Sequence, residues 1–301
     1  MDHEAWLKAL AKAAADEGRA LATVSDPRQT YDPIQGPSLF VTHDAALLVG
    51  VDPARVTIIM PQPETAAEAT AVLLGLEQPH DAFHASLLLT RALSFPEPAR
   101  LFSAAQLSRN PETIELFPGF DVRPPVAERG VPRKAVAVAF SMYRQGRPEV
   151  GTTAFWSEPL FIYDTRACIE GAPAGVLDIS GRSRTLVYGP YLALPSGRWK
   201  AVVRFSIDAG GAKQPLRFDW GLAGDFVSQT VTPGAPGVYE IELEQSHDPS
   251  TTPIATSVAD LWQFRIIVMQ GVFDGFMTFH GVSVTRLADR EPQAIPTDAG
   301  R

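Results

Sequence analysis

The sequence predicts an α+β chain in which a small α/β N-terminal domain precedes an antiparallel β-sandwich of jelly-roll type. Three observations carry this expectation. From about Val131 to Leu287, apolar and polar residues alternate in short runs, the period of strands with one buried face. Turn signals punctuate those runs at Gly210-Gly211, Pro233-Gly234 and Pro236-Gly237. Up to about residue 117, strand and helix patterns alternate instead, which implies a small layer with some parallel pairing. A seam holding Pro118, Pro124, Pro125 and Pro132 joins the two regimes. The expected division is 1–125 for the α/β domain, 126–290 for the sandwich and 291–301 for a flexible tail.

In the first regime, Asp2 is placed to cap a helix that carries Trp6, Leu7, Leu10 and Ala14 on one side. Ser38–Thr42, Arg55–Met60 and Ala99–Ser103 read as short strands. Thr65-Ala66-Ala67-Glu68 has capping-box spacing and opens a helix through Leu76. Asp81 is expected to cap another helix with Phe83, Leu87 and Leu88 on its apolar side. In the second regime, Trp199, Ala201, Val203, Phe205 and Ile207 share one strand face. Leu216, Phe218 and Trp220 do so on the next, and Tyr239, Ile241 and Leu243 on a third, with Glu240, Glu242 and Glu244 outside. Trp262, Phe264, Ile266 and Val268 form a further buried face, and a last strand runs from near Met277 to Leu287. Strands of this number and length close best as two packed sheets.

Apolar residues are 45% and charged residues 20% of the chain, so it can bury a core without staples. Its net charge of -8, with both signs mixed along the chain, argues against a nucleic-acid binder, which would show a basic stripe. The one cysteine, Cys168, permits no intrachain disulfide and reads as a small core residue without a base partner. No stretch reaches the roughly 18–20 apolar residues of a membrane span. The start lacks the basic and apolar regions of a signal peptide, and the expected location is cytoplasmic.

Ligand candidates follow from what the alternation leaves over. Trp199, Trp220 and Trp262 fall in register with aliphatic residues and belong to the core. Tyr188-Gly189-Pro190-Tyr191 reads as a turn flanked by two tyrosines, and flat rings stack on the apolar faces of sugars. Trp156, Phe226, Phe273 and Phe276 border Gly, Pro, Ser or Asp and are expected near strand ends. Lys200 and Arg204, Arg217 and Asp219, and Gln263 and Arg265 alternate with core positions. Paired side by side they form a polar platform for hydroxyls or carboxylates. The alternative is a solvated face with cross-strand ion pairs. Asp178 and Arg182 flank Ile179-Ser180-Gly181 in an edge loop. His43-Asp44 with His80 and His84 is the one grouping that suggests a metal, and it lacks any further motif. Glycine-rich phosphate loops, G-x-S-x-G and H-E-x-x-H are absent. No catalytic residue, metal or cofactor is therefore assigned.

The stretch Leu186–Trp199, with its Y-G-P-Y and then L-P-S-G before an aromatic strand, resembles a segment of bacterial polysaccharide-biosynthesis proteins. There it opens a sandwich similar to carbohydrate-binding modules. Phe279–Leu287 resembles that module's closing strand, and Gly50–Ile59 resembles a linker-and-strand piece of the glycosyltransferases that carry such modules. Met60-Pro61-Gln62-Pro63 departs from the transferase pattern. The resemblance implies a cytoplasmic accessory protein of polysaccharide, exopolysaccharide or glycoconjugate assembly that binds a glycan. Tyr188, Tyr191, Arg182, Arg204 and Asp219 are the expected ligand residues, and the N-terminal domain is expected to dock a protein partner. The alternatives are a reduced glycosyltransferase-like enzyme and a sandwich used only for protein assembly.

Overall fold

The structure is a computed structural model, and it describes residues 3–24, 37–48, 50–60, 62–109, 111–125, 133–247 and 261–288. The expected Asp2 cap, the seam residue Pro132 and the tail 291–301 lie outside the described residues. The N-terminal elements are α1 (His3–Asp16), β1 (Ala20–Thr23), β2 (Ser38–Val41), β3 (Thr57–Ile59), α2 (Ala66–Leu74), α3 (His80–Leu93), β4 (Arg100–Phe102), α4 (Ala104–Leu107), β5 (Ile114–Phe117), β6 (Phe120–Val122) and α5 (Lys134–Phe140). β1 pairs with β2 and β3 with β4, both in parallel, as the alternating pattern predicts. Trp6, Leu10 and Ala14 of α1 bury against Ile114, Leu116, Phe120 and Val122 of the β5–β6 hairpin.

Two expected caps differ. Thr65 makes no capping bond. A 3-10 turn over Pro63–Thr65 precedes α2, and the Thr65 hydroxyl turns back to donate to the Gln62 carbonyl at 3.2 Å. Asp81 lies inside the first turn of α3, where Pro79 occupies the cap. Its carboxylate accepts from the Ala82 N–H at 2.7 Å and from Arg133 at 2.6 Å, which ties α3 to the start of α5.

The sandwich follows with β7 (Thr153–Trp156), β8 (Ile162–Tyr163), β9 (Val176–Asp178), β10 (Arg184–Ala193), β11 (Gly197–Ile207), β12 (Leu216–Leu222), β13 (Asp225–Val231), β14 (Gly237–His247), β15 (Leu261–Val268) and β16 (Phe276–Leu287). Sheet I has the order β13-β12-β15-β10-β8. Sheet II has the order β14-β11-β16-β7, with β9 also on β16. The strands of the sandwich pair antiparallel. The chain switches sheet at almost every step, as in a jelly roll; among the described strands only β12 and β13 follow one another within a sheet.

The period-two faces meet between the sheets. Trp199, Phe205, Phe218, Trp220, Trp262 and Phe264 have no exposed surface. Phe205 and Phe218 face each other across the sheets at 5.1 Å, and Trp156 meets Trp220 at 5.5 Å. Trp156 is thus a core residue and is closed to ligand. Burying one such side chain contributes roughly 1.5–3 kcal/mol. Helices α2, α3 and α5 add Ala67, Ala82, Ala85, Leu89, Val136 and Phe140 to the same core cluster. Cys168, by contrast, is exposed. It sits in the turn after β8, where its thiol faces the Asp164 carbonyl at 3.5 Å.

Tyr188-Gly189-Pro190-Tyr191 is not a turn but the middle of β10. β8 is only two residues long and covers only Val187 and Tyr188, so Pro190, which has no N–H to offer, lies where that side of β10 has no strand neighbour. The register against β15 slips between Pro190 and Leu192, and Tyr191 takes up the slip with a left-handed φ of 61°. α3 covers the open edge beyond. The Ser86 hydroxyl accepts from the Ala193 N–H at 2.9 Å, and the Tyr143 hydroxyl donates to the Ala193 carbonyl at 3.1 Å. Leu87 packs on Ala193 and Leu261.

Candidate functional site

Strand register assembles a continuous surface on the outer face of sheet I. One row across the sheet runs Ser228, Asp219, Arg265, Tyr188 and Ile162, each from a neighbouring strand. The next row runs Phe226, Gly221, Gln263 and Pro190. The row after that, Ala193 and Leu261, lies under α3. The helix therefore forms a wall at one end of a polar and aromatic shelf.

Within the shelf, Arg265 donates to the Gln263 amide oxygen at 2.7 and 3.2 Å. Its guanidinium lies over the Phe226 ring, 4.3 Å from the centroid. Gly221 stands between Phe226 and Gln263 in their row. It must be glycine, because its φ is 147° and an added Cβ would stand 2.2 Å from the Asp225 carbonyl oxygen. Asp219 is 2% exposed, and one of its oxygens accepts from Arg217 and from the Ser228 hydroxyl, both at 2.7 Å. Arg217 also donates to Ser228 at 3.0 Å. Asp219 is thus a brace under the shelf.

Where Ile162, Pro190 and the wall meet there is a pocket of about 230 Å³. α3 and the residue before it supply Pro79, His80 and Phe83. The approach to β8 supplies Leu160 and Ile162. The floor is Pro190, Tyr191 and Leu261. Burial raises the Tyr191 phenol above its ordinary range, against the opposing pull of Arg265, so its hydroxyl is neutral near pH 7 and can donate or accept. His84 lies one turn further along α3. Burial lowers its pKa first, and the neighbouring His80 and Arg91 lower it further.

The structure brings three of the five expected ligand residues to this face: Tyr188, Tyr191 and Asp219. Arg204 lies on β11 of sheet II, on the other side of the sandwich, opposite Glu240. Arg182 is exposed in the β9–β10 connection, beyond the other end of β10. The expected platform therefore splits, with Arg217, Asp219, Gln263 and Arg265 on one sheet and Lys200 and Arg204 on the other. Arg265 and Phe226 are the central shelf residues that the sequence offered as candidates without selecting them. The α3 residues of the pocket carried no such signal, since their position depends on how the helix docks.

The grouping of His43, Asp44, His80 and His84 does not form a metal cluster. Asp44 accepts from the Ala46 N–H at 2.9 Å and pairs with Arg91 at 2.8 Å. His80 and His84 both lie against the Phe83 ring, at 5.3 and 4.8 Å between centroids. Among the described residues no group of three or more His, Cys, Asp or Glu is arranged to hold a metal.

No protein-family profile matches the chain, and no curated protein matches it by sequence. Part of the chain is similar to solved carbohydrate-binding modules. One, in complex with β-1,4-galactotriose, is 9% identical over 48% of this chain and 93% of its own, with a TM-score of 0.26. A family 35 module from Clostridium thermocellum is 14% identical over 44% of this chain and 96% of its own, with a TM-score of 0.26. A xylan-binding domain from Paenibacillus barcinonensis is 13% identical over 48% and 91%, with a TM-score of 0.25.

Proposed function

We propose that the chain binds a carbohydrate on the outer face of sheet I. The observation that carries this reading is the shelf itself: Tyr188, Arg265 and Phe226 in adjacent rows, ending at a walled pocket beside Tyr191. Sugar rings offer apolar C–H faces edged by hydroxyls, and the shelf offers aromatic rings edged by fixed hydrogen-bonding groups. Two of the five N–H donors of Arg265 bond to Gln263, which holds the guanidinium in place for the others to meet hydroxyls. Asp219, Arg217 and Ser228 stiffen the shelf from below. No catalytic residue is assigned.

We further propose that this binding serves bacterial polysaccharide or glycoconjugate assembly, as a cytoplasmic accessory protein. That part of the proposal rests on the sequence resemblance of residues 186–199 and 279–287. Calorimetric titration with a panel of bacterial glycans tests the binding. We expect saturable binding at millimolar ligand or below, abolished by Tyr188→Ala in a protein that stays folded. Absence of binding by every glycan, with the fold intact, would overturn the proposal.

A further inference from the structure

The pocket at the end of the shelf differs in chemistry from the shelf. Of its lining side chains, Pro79, Phe83, Leu160, Ile162, Pro190 and Leu261 are apolar. Only His80 and Tyr191 bring polar atoms. A hydroxyl that enters such a space gives up its water and finds few partners, and each one left unpaired costs a factor of about ten in affinity. A methyl group gives up nothing and gains contact with the apolar walls. At about 230 Å³ the pocket is smaller than the sites that enclose whole drug-sized ligands, but it has room for a substituent and the edge of a sugar ring. Its mouth adjoins the shelf, because Ile162 stands beside Tyr188 across β8 and β10, and Pro190 stands beside Gln263.

We infer that the pocket selects a methyl-bearing sugar: the ring rests on the Tyr188–Arg265 shelf and its methyl group enters between α3 and Ile162. The methyl belongs to a 6-deoxyhexose or to an acetyl group on the ring. The inference rests on the proposed carbohydrate-binding role of the same face and adds the class of sugar. Tyr191 separates the two sources. An acetyl group carries a carbonyl oxygen that needs a donor, and Tyr191 is the one lining residue with a hydroxyl to offer. A 6-deoxy carbon carries no acceptor.

The test uses the full chain and matched free sugars: D-fucose against D-galactose, and N-acetyl-D-glucosamine against D-glucose, by ligand-observed NMR and calorimetry. We expect one methyl-bearing member to bind about tenfold tighter than its parent, a typical discrimination for one group in an apolar pocket. Ile162→Thr keeps the branched shape that suits a strand and places a hydroxyl in the pocket wall. It should shrink the preference to within about threefold. Tyr191→Phe should weaken the N-acetyl sugar more than the 6-deoxy sugar. Equal affinity within both pairs, with binding still lost in Tyr188→Ala, would overturn the methyl selection and leave the carbohydrate reading standing. A preference that survives Ile162→Thr unchanged would place the methyl elsewhere and also overturn it. No binding of any of the four sugars or of the glycan panel would overturn both readings.

Discussion

The outer faces of the two sheets start from the same sequence pattern and end with different chemistry. On sheet II, cations and carboxylates face each other one strand apart. Arg198 pairs with Glu244, Lys200 reaches Glu242 at 3.6 Å, and Arg204 stands opposite Glu240. Each charge has its counterpart on the neighbouring strand, and exposed pairs of this kind contribute only about 0–1 kcal/mol. Because β14 is an edge strand, its glutamates also discourage pairing with another chain. On sheet I, Arg265 stands opposite Asp219, yet Asp219 is held by Arg217 and Ser228. Arg265 turns instead to an amide and an aromatic ring. A cation satisfied by a carboxylate has little left to offer a neutral ligand. One held by Gln263 and Phe226 keeps donors available.

The largest expected effect breaks this comparison directly. Arg265→Ala should weaken glycan binding about ten- to a hundredfold, the range for losing hydrogen bonds from a charged donor. Arg204→Ala, which removes an exposed arginine that also alternates with core residues, should leave affinity within about twofold, since surface changes away from a site have small effects. Calorimetry on both variants decides the matter. Equal losses, or a larger loss for Arg204→Ala, would move the site to sheet II.

The sequence alone could not separate the two faces. It offered both outcomes, a polar platform or a solvated face with ion pairs, for one set of residues, and each sheet realises one of them. Alternation was enough to place Trp220 and Trp262 in the core, because period two decides which side of a strand a residue occupies. It does not decide what stands across the strand gap. That depends on register, and the register of β12 against β15 joins distant segments, from Leu222 with Trp262 to Leu216 with Val268. The Y-G-P-Y motif was misplaced for a related reason. Gly-Pro usually breaks a strand, but here β8 has already ended and the missing Pro190 N–H costs no ladder bond. The helix α5 was missed because Lys134–Phe140 is short, apolar and next to the Pro-rich seam, so neither its length nor its flanks marked it.

A second, smaller effect concerns the wall of the shelf. Ser86→Ala removes the acceptor of the buried Ala193 N–H, a loss of about 1–3 kcal/mol of stability. Lys200→Ala removes half of an exposed ion pair on sheet II and should cost no more than about 0.5 kcal/mol. Urea unfolding of the two variants makes the contrast measurable. If Ser86→Ala costs as little as Lys200→Ala, α3 is not sealing the β10 edge through this bond.

The smallest expected effect is a pH dependence confined to the walled face. The His84 pKa is lowered below 6.5 in the folded chain, first by burial and then by His80 and Arg91. Its unfolded form therefore takes up a proton more readily than its folded form. The sign follows from linkage: stability rises with pH wherever the unfolded state binds more protons. This contribution is full above about pH 6.5 and is lost as pH falls through the lower folded value. Melting temperature measured between pH 7.5 and 5.5 should drop less in His84→Gln than in the parent chain. The carboxylates Asp164 and Asp178 have pKa values lowered from 3.8, Asp164 by bonds from Arg166 and Arg184 that outweigh its burial, and Asp178 by bonds from Ser180. They act at more acid pH than His84. A parent chain whose melting temperature is flat across the window, or a variant with the same slope, would show that α3 docks without penalising the charged imidazole. The wall would then be set by the packing of α3 and its Ser86 bond.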